Sequence, residues 1–99
     1  MVLDKIKEVN PETPTVIYIK HSGALLERMA ATGVDVVSMD WTVDMAEGRE
    51  RLDKAREGKG MSRCAVQGNL DPGLLYADFD TIEERTIDII KKVRGGGAE

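Results

Sequence analysis

The sequence predicts an α/β fold with a parallel sheet, a partial (β/α)8 barrel of about three βα units. Three observations carry that expectation. Short β-branched runs alternate three times with apolar residues at helical spacing, the pattern of successive strand–helix units. The run Val34-Asp-Val-Val-Ser-Met39 is apolar at both alternations, which fits a strand covered on both faces. A barrel of ~250 residues built from eight units needs about 31 residues for each, so a chain of 99 residues holds about three.

The elements follow in order. Over residues 1–9 Leu3 and Ile6 share a helical face among charged neighbours, so the chain opens inside a helix. Pro11 and Pro14 break it, because proline lacks the N–H and biases its predecessor away from helical backbone. Thr15-Val-Ile-Tyr-Ile19 is the first strand. Residues 20–23 turn, with Ser22 read as an N-cap, and Leu25, Leu26, Met29 and Ala30 form a helix that Gly33 stops.

The second strand, 34–39, leads to Asp40-Trp-Thr42, and Asp44 with Glu47 three residues on has the spacing of a helix start. That helix runs through Met45, Ala46, Arg49 and Leu52. The charged, glycine-bearing stretch 54–60 reads as an exposed loop. The third strand is Arg63-Cys-Ala-Val-Gln67. Asp71-Pro72 then opens a short helical turn, and Thr81 with Glu84 opens the last helix, which places Ile82, Thr86, Ile89, Ile90 and Val93 on one face. Residues 1–94 are read as one partial barrel domain and 95–99 as a flexible tail. A small, open, doubly wound sheet is the competing architecture. A chain that opens in mid-helix and stops after a helix, with two sheet edges uncapped, favours the barrel piece.

Composition narrows the chemistry. Fourteen Lys and Arg against 18 Asp and Glu give a net charge of −4, which argues against nucleic acid or an anionic membrane as the main partner. The chain is 41% hydrophobic and 32% charged, ordinary for a soluble domain. No apolar stretch approaches the ~20 residues that span a bilayer, and the charged amino terminus does not read as a secretory signal. Cys64 is the single cysteine, which rules out an internal disulfide and a cysteine-rich metal site. The expectation is a soluble intracellular piece.

Val34-Asp-Val-Val-Ser-Met-Asp-Trp-Thr-Val-Asp-Met45, followed in register by Val66-Gln-Gly-Asn-Leu-Asp-Pro72, closely resembles the uroporphyrinogen decarboxylase family. The stretch from Pro14 through Gly23-Ala-Leu-Leu-Glu-Arg-Met-Ala-Ala-Thr-Gly33 fits the same family without a gap, and its wording is most similar to the plastid branch. The resemblance runs from about Val9 to about Val93 and reads as an internal, carboxyl-terminal-half fragment.

It implies a cofactor-free (β/α)8-barrel carboxy-lyase, usually a homodimer, in plastid or alternatively cytoplasm. Such an enzyme removes carbon dioxide from the four acetate arms of uroporphyrinogen III to give coproporphyrinogen III, in heme and chlorophyll synthesis. That chemistry needs cations for substrate carboxylates, a carboxylate for the pyrrole N–H groups and a proton donor. The family carries these in an arginine-containing motif, an aspartate loop, a tyrosine, a serine and an Asn-Leu-Gly-His-Gly motif. None of the five occurs here, so no catalytic residue is assigned and the segment alone is expected to be inactive.

Four residues are candidates for lining the cleft: His21, Asp40, Asn69 and Asp71. His21 ends a strand on the functional side of a barrel and could be an acid or base, although a loop residue beside Lys20 is the plainer reading. Asp40, Asn69 and Asp71 read first as turn and cap chemistry, and Trp41 as packing under a loop. Cys64 reads as a buried apolar residue. The alternative enzyme class is the cobalamin-linked methyltransferases, which bind zinc through a His-x-Cys-Gly turn. Here the turn is Lys20-His21-Ser22-Gly23, and one His with one Cys cannot supply three ligands, so neither metal nor cofactor is expected. The other alternative is a non-catalytic barrel fragment.

Overall fold

The computed structural model describes residues 2–95. Helix α1 (Val2–Val9) leads to strand β1 (Val16–Tyr18), a 3-10 turn (Gly23–Leu25) and helix α2 (Leu26–Ala31). Strand β2 (Val36–Ser38), helix α3 (Met45–Gly58), strand β3 (Ala65–Gln67), a second 3-10 turn (Pro72–Tyr76) and helix α4 (Phe79–Gly95) complete the order. Each strand is three residues long, shorter than its apolar run, because the flanking residues already turn toward the loops.

The strands lie in the order β1-β2-β3 and pair in parallel, with Ile17 opposite Val37 and Val37 opposite Val66. This order decides between the two architectures. Both crossovers step the same way across the sheet, and right-handed crossovers that step the same way put every helix on one face. A doubly wound sheet must reverse its order to cover the second face. Accordingly Leu26, Met29 and Ala30 of α2 and Met45 and Leu52 of α3 form one core with Val37, and Ile17, Val66, Ile89 and Val93 pack against it. Helix α3 lies between α2 and α4. The molecule is a barrel segment with its helices outside.

The opposite face differs from the expectation. Residues two apart on a strand share a face, so Val16 and Tyr18, Val36 and Ser38, and Ala65 and Gln67 point away from the helices. Val16 and Tyr18 are more than half exposed. The valine-rich second strand is apolar on both sides because a barrel has an interior as well as a helical coat; only the coat is present among the described residues.

Helix α3 runs to Gly58, so 54–58 is helix and not the expected loop. Its buried positions, Met45, Gly48, Arg49, Leu52 and Arg56, lie on one helical face, and two of them are arginines. Their stems lie along the core while the guanidinium groups reach main-chain carbonyls. Arg56 donates to Ala30 O and Val34 O at 2.7 Å each and to Ser62 O at 3.1 Å, and Arg49 donates to Cys64 O at 2.7 Å. A polar stretch that looks like loop is helix because its arginine is spent on the entrances to β2 and β3.

Other boundaries shift for local reasons. Ser22 is buried beside the first 3-10 turn, but its side chain makes no cap bond there. Helix α4 starts at Phe79, two residues before the expected Thr81, because Asp78 Oδ1 accepts from the Thr81 amide at 2.8 Å. On α4, Ile89 and Val93 reach the core whereas Thr86 and Ile90 are exposed. Gly95, the first residue of the expected tail, is still helical; the rest of that tail, residues 96–99, lies outside the described residues. Asp44 caps α3 as expected, accepting from the Glu47 amide at 3.1 Å.

Candidate functional site at the carboxyl ends of the strands

The loops that leave β1, β2 and β3 meet at one end of the sheet, and three of the four candidate residues meet there. Asp40 follows β2 and is only 4% exposed. One carboxylate oxygen accepts from the His21 amide, which follows β1; the other accepts from the Thr42 amide at 3.0 Å and from the Thr42 hydroxyl. Asn69, after β3, donates its side-chain amide to Asp40 O at 2.8 Å and to Val43 O. The three strand ends are therefore tied through Asp40.

Burial pushes the Asp40 carboxyl up, but the Thr42 hydroxyl and the His21 and Thr42 amides outweigh it and hold its pKa below the ordinary aspartate value. Asp40 is thus a carboxylate at neutral pH whose hydrogen bonds are directed inward. It positions loops and has no proton to give.

His21 adopts a left-handed backbone, φ 57°, uncommon for a residue with a side chain. Its ring stands edge-on to Trp41, with centroids 5.6 Å apart. The ring is at the surface, in keeping with the plainer reading of the sequence. Gly68 allows the closest approach: at φ 105°, a Cβ there would lie 2.3 Å from Met39 O. Glycine is required so that β3 can leave the sheet against the end of β2.

Asp71 stands apart from this knot. It caps the second 3-10 turn, accepting from the Gly73 amide at 2.9 Å. With Trp41, Asn69 and Leu74 it borders an open cleft of about 280 Å³ between the β2–α3 loop and α4. Lys92 crosses that cleft to Asp44 at 2.7 Å and Asp88 at 3.3 Å. The Lys92 ammonium holds the Asp44 carboxyl below its ordinary pKa.

Cys64 precedes β3, at the other end of the sheet from His21, and is buried in the core. Parallel strands thus hold the chain's one thiol and one imidazole apart. Among the described residues no three His, Cys, Asp or Glu side chains gather as a metal site.

The sequence reading missed a row of residues on the uncovered face. Tyr18, Ser38 and Gln67 are the last residues of their strands and lie opposite one another in register. In sequence each lies on the same alternation as an apolar residue two positions earlier, Val16, Val36 or Ala65.

Comparison with known proteins places these features in a family. The family model described as uroporphyrinogen decarboxylase matches residues 1–98. The chain is 49% identical over 96 residues to a rice protein named uroporphyrinogen decarboxylase 2, chloroplastic, covering 97% of this chain and 23% of the relative. It is 49% identical over 96 residues to a Synechocystis uroporphyrinogen decarboxylase, covering 97% and 25%. A barley relative of the same name is 48% identical over 96 residues, covering 97% and 27%. The chain spans about a quarter of the length of these relatives.

Proposed function

The chain belongs to the uroporphyrinogen decarboxylase family, and we propose that it supplies three consecutive βα units to the barrel wall of such an enzyme. The whole enzyme converts the four acetate arms of uroporphyrinogen to methyl groups, giving coproporphyrinogen. Each conversion releases one carbon dioxide from a carboxylate and delivers one proton to the carbon left behind. The reaction belongs to porphyrin, heme and chlorophyll synthesis.

The observation that carries this reading is the one-sided sheet. Helices cover one face, the other is open, and the loops leaving the carboxyl ends are fixed by Asp40 and Asn69. Barrel enzymes work at that end. This segment contributes position, because its buried carboxylate is committed to main-chain amides. The proton donor and the arginine-containing motif for the substrate's carboxylates come from outside these residues. The cleft-lining role of His21, Asp40, Asn69 and Asp71 is to shape the rim. The whole enzyme is a homodimer that uses no cofactor and binds neither nucleic acid nor membrane. A chloroplast-named rice relative, together with cyanobacterial ones, supports a plastid location.

The test is coproporphyrinogen formation from uroporphyrinogen by the purified chain. No turnover above the uncatalysed rate is expected. Turnover that disappears in His21→Ala or Asp40→Asn would place catalysis within these residues and overturn the reading.

A further inference from the structure

Several polar side chains near the carboxyl ends of the strands are spent inside the chain: Asp40 accepts from the His21 and Thr42 amides and from the Thr42 hydroxyl, Asn69 donates to the Asp40 and Val43 carbonyls, and Asp71 caps its own turn. The row Tyr18–Ser38–Gln67 is not. Among the described residues none of the three side chains has a hydrogen-bond partner, and Tyr18 is 52% exposed. Adjacent strands are about 4.8 Å apart, so the row presents a short hydroxyl between a long phenol and a long amide. Side chains of those lengths recess Ser38 between Tyr18 and Gln67. The layer beneath, Val16–Val36–Ala65, is wholly apolar.

The six residues of this face carry no charge, so an anion meets no repulsion from them. Lys20, two residues after β1, is an exposed cation without an ion pair among the described residues. Two hydroxyls and a carboxamide offer donors that an anionic oxygen can use, and hydrogen bonds to a charged acceptor are the stronger kind.

We propose that Ser38 and Gln67, walled by Tyr18, form a binding slot for one carboxylate-bearing arm of the tetrapyrrole substrate. The slot rests on the reading of the chain as part of a uroporphyrinogen decarboxylase and adds to it the residues that hold an arm. Ser38 and Gln67 donate to the carboxylate, and Lys20 supplies attraction from the rim.

Titration of the 99-residue chain with uroporphyrin I, the oxidised macrocycle with all eight carboxylates, tests this through the emission of Trp41, the single tryptophan. Saturable quenching is expected. Ser38→Ala and Gln67→Ala should each weaken binding roughly tenfold, the scale of one hydrogen bond to a charged group. Ser38→Thr, which keeps the hydroxyl, should bind as the parent does, and so should Glu84→Ala on the outer face of α4. A Ser38→Ala/Gln67→Ala chain that keeps its helical circular dichroism and binds as tightly as the parent overturns the slot and leaves the tetrapyrrole reading standing. A parent chain that shows no saturable binding overturns both.

Discussion

Arg56, at the amino-terminal end of the sheet, and Asp40, at its carboxyl-terminal end, are both charged and both nearly inaccessible, at 5% and 4% exposure. Both are spent on main-chain groups. They differ in what they join. Arg56 links helix α3 to the end of α2 and to the segments entering β2 and β3. Asp40 links one loop to another, with no helix involved. One end of the sheet therefore holds the helical coat to the strands, and the other sets the shape of a rim whose inner face stays uncommitted. Stability and site geometry are placed at opposite ends of the same three strands.

The largest expected effect lies at the helical end. Arg56→Met keeps the stem but leaves the Ala30 and Val34 carbonyls buried without a donor, a loss of about 3–5 kcal/mol. Small domains hold only about 5–15 kcal/mol in all, so a urea titration should show the chain largely unfolded. Arg56→Lys should not rescue it, because an ammonium cannot reach three carbonyls spread across the guanidinium's fork. A variant within 1 kcal/mol of the parent, by this conversion scale, would erase the contrast between the two ends.

Next comes the close approach at the rim. In Gly68→Ala the new Cβ meets Met39 O, a main-chain atom that side-chain rotation cannot move aside. Together with its left-handed φ this should cost about 2–4 kcal/mol. The substitution should also disturb the Asn69 bonds, so the Trp41 emission should change before the helical signal does. Simultaneous loss of both signals would mean that the rim and the coat do not separate.

Acid provides a finer separation. Asp40, Asp53, Asp44, Asp35 and Glu27 all have pKa values lowered by their partners. A group whose folded pKa is depressed contributes stability above its unfolded pKa and loses it as pH falls through the folded value. Stability should therefore be flat near neutrality and fall below about pH 4. Asp40→Asn should flatten that fall and cost about 1–3 kcal/mol at pH 7, because an amide cannot accept on both sides as the carboxylate does. An unchanged acid limb would show that Asp40 does not carry the rim.

The smallest effect should come from Asp44→Ala, which removes the α3 cap and an exposed ion pair with Lys92, about 1 kcal/mol. Raising the salt concentration should shrink only the ion-pair share. A salt-insensitive loss would assign the whole effect to the cap.

The order of strands and helices was legible because prolines, glycines and β-branched runs punctuate it clearly. Cap chemistry was legible where the residue acts locally, as Asp44 and Asp71 do. It failed at Ser22 and at Asp78, where nearby residues offered equally good spacing and three-dimensional packing chose between them. The helical character of 54–58 was hidden because Arg56 looks like a surface residue until the carbonyls it serves, 6 to 26 residues away, are in place. Of the candidate site, the knot of His21, Asp40 and Asn69 was approached through strand ends. The row Tyr18–Ser38–Gln67 was missed, since register between strands is a property of the folded sheet.

The sequential strand order has a consequence for how the chain acquires its shape. Val16 pairs with Val36, and Val36 with Ala65, so each pairing closes a loop of about 20 or 30 residues. Among the described residues no strand inserts between two that are already joined. Contacts this local correspond to a modest entropic barrier and to fast folding for a parallel sheet. The ladder can grow in the order in which the residues leave the ribosome, each unit finding its neighbour already in place.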